Sequence, residues 1–284
     1  MPAAQRTTIV SPGHGEGRRM SIGIARSLWS YRGFILGSVK REFQSRYRNS
    51  LLGAAWTVLQ PLAMITVYTV VFSELMRMRL AGMDGPYAYS IYLCAGLLTW
   101  GLFGEILQRG QTVFLDNGNM IKKLNFPRIC LPAITVINAL VNFSITFSIF
   151  IAFLLVTHSF PGWVVLYALP LLAIQVAFAT GLGIIAGVLN VFFRDVGQFV
   201  NVLLQFWFWF TPIVYSMETL PKSVQSWIRL NPMTPLARAY QQIFAYRLPP
   251  DWQSIWPVAV LGVGLCLSAF LLFRRRAGEI VDEL

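Results

Sequence analysis

Two rows of polar side chains stand out in a chain that is otherwise poor in them. Thr135, Asn138, Asn142 and Thr146 recur at i, i+3, i+7 and i+11, and Gln198, Asn201 and Gln205 at i, i+3 and i+7. Each spacing puts its row on one face of an α-helix. The second row leads into Phe206-Trp207-Phe208-Trp209-Phe210 and on to Tyr215, and an earlier stretch carries Trp56, Tyr68 and Phe72. Amides and hydroxyls so placed form hydrogen bonds, and rings stack. His14 and His158 have no ligand partner in the sequence, Cys94, Cys130 and Cys266 lack metal-site spacing, and there is no nucleophile–base or paired-carboxylate arrangement. No nucleotide-binding motif occurs: Gly13-His14-Gly15-Glu16-Gly17 has no preceding strand and no Gly-Lys-Ser/Thr. The chemistry on offer is contact with another molecule. The chain reads as a non-enzyme without metal or cofactor of its own, and if transport is active, the fuel is burned by another polypeptide or comes from an ion gradient.

The elements that hold these residues are set by charge gaps. Ile129 to Phe193 is 65 residues without Lys, Arg, Asp or Glu, room for two membrane crossings at about 20 residues each. Hydrophobic residues make up 56% of the 284 and charged residues 12%, about half the charged fraction of a soluble domain. The expected fold is an all-α polytopic membrane protein of six transmembrane helices, at about 51–73, 87–108, 133–156, 164–189, 196–217 and 253–273. Thr157 to Trp163 is the turn between the third and fourth. The first 27 residues read as a flexible lead without a signal peptide, and 274–284 as a tail. With both termini in the cytoplasm, 17 of the 23 Lys and Arg fall on the cytoplasmic side. Net charge is +11, which those flanking cations and anionic headgroups account for without nucleic acid.

Residues 28–50 read as an amphipathic helix at the headgroup layer, with Leu36, Val39, Phe43 and Tyr47 on one side and Lys40, Arg41, Arg46 and Arg48 on the others. Segment 109–130 combines turn residues with Lys122, Lys123 and Arg128, and reads as a short cytoplasmic helix pinned between spans. Arg194-Asp195 fills a very short cytoplasmic loop. In 218–252, Pro221 opens one short helix and Pro235 a second; their aromatic density suggests a pair re-entering the outer leaflet. Gly183 and Gly187, with Gly181 nearby, permit close helix packing within or between copies of the chain. Pro61 and Pro212 are expected to kink their helices.

Within lipid, the polar rows have two readings. One is interhelical hydrogen bonding, worth about 0.6–2 kcal/mol per bond; the other is the lining of a path. Sugars have apolar faces that lie on rings and hydroxyls that pair with Asn and Gln. The lining candidates are Trp56, Tyr68, Phe72, Asn138, Asn142, Gln198, Asn201, Gln205, Trp207, Trp209 and Tyr215, and a path so lined would pass a sugar chain without gripping it.

Five stretches resemble, in order, permeases of the ABC-2 type that export polysaccharides from bacteria: SRYRNSLLGAAWTVLQPL (45–62), LNFPRICLP (124–132), NVFFRDVGQFV (190–200), FWFTPIVYS (208–216) and NPMTPLARAYQQIF (231–244). The resemblance covers about residues 28–275. It implies a homodimer in the bacterial inner membrane and two copies of a separate ATPase that holds Mg-ATP. It also implies a lipid-linked glycan substrate of O-antigen or capsular type. Helix 28–50 becomes the interface helix and 109–130 the coupling or gate segment. The ATPase contacts would come from Arg41, Arg46, Arg48, Lys122, Lys123, Arg128, Arg194 and Asp195. Rival readings are a permease of this type for a small lipid or drug, and an ATP-independent channel or ion-coupled carrier.

Overall fold

The computed structural model describes residues 29–47, 55–71, 87–123, 127–276 and 278–283. The expected lead, Arg48, Phe72 and the side chains of Arg46 and Lys123 lie outside the described residues. The described chain is helical and carries no strand. Its elements are α1 (Arg32–Tyr47), α2 (Trp56–Tyr68), α3 (Ala88–Asp116), α4 (Gly118–Lys123), α5 (Cys130–Val156), α6 (Ala168–Phe192), α7 (Asp195–Trp209), α8 (Lys222–Arg229), α9 (Met233–Gln241), α10 (Trp252–Arg276) and α11 (Glu279–Glu283). A 3-10 turn, Gly162–Tyr167, leads into α6.

Helices α3, α5, α6 and α10 are long and apolar enough to cross a membrane. Each has at least 25 residues, about 38 Å of helix against a hydrocarbon core of about 30 Å. The turn between α5 and α6 falls where expected, with His158 and Gly162 both at positive φ (54° and 67°). Helices α3 and α6 run parallel: Gln175 Nε2 donates to Thr99 O at 2.7 Å, and fifteen residues further along α6 Asn190 Nδ2 donates to Gln111 O at 2.8 Å. Between these bonds the helices approach through glycine. A Cβ at Gly110 would stand 2.8 Å from Gly183 Cα, and one at Gly187 would overlap the Gly110 carbonyl. Gly181 faces α10, where a Cβ would meet Leu265 Cβ at 2.7 Å. The small-residue face of α6 thus joins three helices of one chain.

Rings fill the space that the glycines leave. Phe103 stacks on Phe178 at 5.6 Å, and Trp207 stands edge-on to Phe103 at 5.1 Å. Helix α9 is wedged into the bundle: Met233, Leu236 and Ala237 are fully buried. Phe244, one turn beyond it, lies edge-on to Phe150 of α5 at 5.3 Å. A π-helical turn, Gln242–Tyr246, ends on Arg247 in the left-handed region. Helix α8 keeps only Ile228 buried and leaves Trp227 exposed.

Four features depart from expectation. Leu36 points outward, 60% exposed, while Ile35 and Val39 bury against Cys130 and Ile134; neighbouring apolar residues on a helix leave the face ambiguous by one position. The stretch expected as a span over 196–217 is helical only to Trp209, and 210–216 is irregular. Pro212 therefore ends the helix and does not kink it: it lacks an N–H and disfavours helical geometry at Thr211. The helix expected to end at 273 continues into the segment read as a tail. α10 runs to Arg276, and Ile280 of α11 is fully buried in a cluster with Ile121, Phe114 and Phe273.

Candidate functional site

Helix α1 carries one acidic residue, Glu42, among its cations. Its carboxylate is shared between two other helices. Oε1 accepts from Arg109 Nη1 of α3 at 2.5 Å, and Oε2 from Asn138 Nδ2 of α5 at 2.5 Å. Arg109 also reaches Glu105 through Nε at 3.2 Å, and Asn142 Nδ2 donates to Glu105 Oε1 at 2.5 Å. The first polar row thus ties α1, α3 and α5 together through two carboxylates and one guanidinium. The Arg fork suits this role, since two of its N–H groups serve two acids at once. Sequence reasoning passed over Glu42; the available signal was its being the one acid on a basic helix.

Segment 210–216 carries backbone that no helix satisfies, in a region where unpaired carbonyls are costly. Distant side chains satisfy it. The Tyr89 hydroxyl donates to Val214 O, Tyr92 Oη to Tyr215 O at 3.2 Å, and Gln241 Nε2 to Pro212 O at 3.0 Å. Asn231 is the hub. Its Nδ2 donates to Phe210 O and Thr211 Oγ1, both at 3.0 Å. Its Oδ1 accepts from Trp207 Nε1 at 2.7 Å and from the Met233 N–H that opens α9 at 2.9 Å. Replacing Asn231 by Ala should lower thermal stability by about 1–3 kcal/mol, the cost of leaving buried groups unpaired. Asn231→Asp keeps the two acceptor bonds and should lose less. Equal melting temperatures for wild type and Asn231→Ala would remove the hub role.

The second polar row faces out. Gln198, Asn201, Gln205 and Trp209 recur along the open side of α7, and Trp209 is 65% exposed. Asn201 Oδ1 accepts from Gln111 Nε2 at 3.0 Å, and the Trp209 ring stands edge-on to Phe208 at 5.4 Å. Trp207 points the other way, into the Phe103–Phe178 stack. Trp56 is exposed on α2, and Tyr68 lines a groove of about 220 Å³ between α2, α3 and α5 with Glu105 and Asn142. Tyr215 donates to Trp209 O at 2.8 Å. The structure therefore gathers Tyr68 and Asn142, sets Trp56 and the α7 row on exposed faces, and takes Trp207 into the core.

Of the partner-facing candidates, Arg41, Lys122, Arg194 and Asp195 are exposed and Arg128 is half-buried. Lys122 follows Ile121, which is buried against Val113, Leu131 and Val191, so α4 is anchored from below and charged above. Asn190 Oδ1 accepts from Gly197 N at 2.9 Å and pins the Arg194-Asp195 turn. Past α7, Arg238 pairs with Glu218 at 3.3 Å. Partial burial pushes the Glu218 carboxyl up. The hydrogen bonds from Ser216 and from its own backbone N–H, with the charge of Arg238, outweigh that and hold it below its ordinary range.

Helices of membrane length, held together by amide and carboxylate bonds and bearing polar and aromatic groups on open faces, define a multi-pass membrane protein built for contact. The chain belongs to the ABC-2 type transporter family, which residues 35–245 match. It is similar to the O-antigen export system permease protein RfbA of Myxococcus xanthus, with 31% identity over 93% of this chain and all of that protein. An RfbA of Klebsiella pneumoniae is 30% identical over 79% of this chain and 85% of its own length. The polysialic acid transport protein KpsM of Escherichia coli is more distant, 22% identical over 68% of this chain and 74% of its own.

Proposed function

We propose that this chain is the membrane subunit of an ATP-driven exporter that moves lipid-linked polysaccharide, of O-antigen or capsular type, out of the bacterial cytoplasm. The reading rests on its similarity to O-antigen export permeases across nearly the whole chain. In this reading α2 and α7 are the first and fifth of six spans, and α8 and α9 re-enter the outer leaflet. The termini and the end bearing Arg109, Arg128, Arg194 and Arg274 face the cytoplasm. Two copies meet across the open faces of α2 and α7. Amides are costly against lipid, so a second copy and a wet path are what would satisfy Gln198 and Gln205. Trp56, Tyr68 and Trp209 offer ring faces to sugar, and amides pair with its hydroxyls. Phe72 and Tyr215 belong to the same proposed lining.

This chain needs no catalysis. Mg-ATP binds and is split on two ATPase subunits, which press on Arg41, Arg46, Arg48, Lys122, Lys123, Arg128 and the Arg194-Asp195 turn. Movement of α1 then passes through Glu42 to α3 and α5. The test is a strain lacking this chain, complemented with wild type or with Gln198→Leu/Gln205→Leu/Trp209→Ala. Wild type should restore surface polysaccharide, and the triple variant should restore several-fold less while its purified yield and melting temperature hold. A deletion strain with undiminished surface polysaccharide overturns the reading.

A further inference from the structure

Between α5, α6 and α10 an apolar groove of about 1030 Å³ runs along the outside of the bundle. Val136 and Leu140 of α5, Leu172 and Val176 of α6, and Leu267 and Phe270 of α10 form its walls. The one hydroxyl in the lining, on Thr180, has its oxygen buried. Cys266 Sγ is turned to Ala177 O at 3.0 Å. The Thr180 oxygen has no hydrogen-bond partner among the described residues, and the rest of the lining is apolar apart from Cys266. Along α6 it extends from Ile184 to Leu169, about 22 Å at 1.5 Å per residue, against about 15 Å for one leaflet's half of the hydrocarbon core. That is a trough for a single extended hydrocarbon chain.

The two ends differ in charge. At one, the lining residues Ile129 and Phe273 adjoin Arg128 and Arg274, with Arg275 exposed beyond them. At the other, Leu169 follows closely on Tyr167, whose ring stands edge-on to that of Trp252 at 6.3 Å, beside Asp251 in the chain. We infer that this groove is the seat of a resident anionic phospholipid, with one acyl chain along the trough and its phosphate at Arg274 and Arg275. Charge complementarity at a single mouth selects an anionic headgroup and fixes which way the lipid points. A second copy of the chain does not fill this place, because the exposed polar row that calls for one lies on α7, which lines no part of the groove.

The full chain in phosphatidylcholine nanodiscs is the system for the test. Trace phosphatidylglycerol carrying a diazirine on one acyl chain is photolysed, and the adducts are mapped by peptide mass spectrometry. Adducts should concentrate in 132–140, 169–180 and 266–273, several-fold above those from phosphatidylcholine with the same diazirine chain. Arg274→Gln/Arg275→Gln, which leaves the groove walls intact, should bring the two lipids level. Ala173→Phe, which fills the trough, should remove the adducts. Equal labelling by both lipids in the wild-type protein overturns the assignment without any substitution. So does preferential labelling that survives the arginine changes.

Discussion

Gly187→Leu should leave no folded protein to purify. A Cβ at this position would overlap the Gly110 carbonyl oxygen and stand 3.3–3.4 Å from the Phe114 ring, before any further side-chain atom is placed. Overpacking of flexible side chains costs about 1–3 kcal/mol. Here the obstruction is backbone, so α3 and α6 must separate, and the bond from Asn190 to the Gln111 carbonyl is stretched with them. Gly264→Leu is the matched control, since nothing lies within 4 Å of a Cβ there. Size-exclusion profiles of detergent extracts should show a monodisperse peak for Gly264→Leu and none for Gly187→Leu. A wild-type melting temperature in Gly187→Leu would refute the close approach.

Glu42→Ala should do the converse: the bundle survives and transport fails. The substitution removes both acceptors that hold α1 to α3 and α5. Bonds to charged groups are worth about 1.5–3 kcal/mol each, and less here, because the Glu42 side chain is 41% exposed and screened. The core clusters do not depend on it. What is lost is the mechanical tie. In reconstituted vesicles with the ATPase, hydrolysis should continue while glycan movement falls toward background, and backbone amides of α1 should exchange faster. Arg109→Lys should give an intermediate loss, since one ammonium cannot reproduce the two-acid fork. Undiminished transport by Glu42→Ala would refute the coupling role of this tie.

What was legible in the chain was whatever local pattern decides. Charge gaps marked the four long helices, the Thr157–Trp163 turn announced itself by residue type, and turn residues and prolines pointed to a short helix within 109–130 and to one after Pro221 and one at Pro235, the last of which starts earlier than its proline suggests, at Met233. What escaped was long-range. The irregular segment after Trp209 depends on Tyr89 and Tyr92, more than 120 residues before the carbonyls they hold, and on Asn231 and Gln241 after it. A proline in an apolar run reads as a kink unless those partners are known. Asn138 and Asn142 were correctly placed on one helical face, but only the fold shows that this face meets two carboxylates. Trp207 and Trp209 look interchangeable in sequence. Helical geometry turns them roughly 200° apart, one into the ring stack and one outward.

The glycine-fused trio of α3, α6 and α10 divides the labour within the subunit. Helices in carbonyl contact have no slack to slide past one another, so they form a chassis that a pull on α3 displaces as one body relative to the other helices. On the proposed reading, an engineer seeking to widen the cargo range should therefore leave positions 110, 181, 183 and 187 alone and diversify the open surfaces of α2 and α7. Spectroscopic reporters fixed to the trio would serve as the stationary frame against which the travel of every other helix is measured.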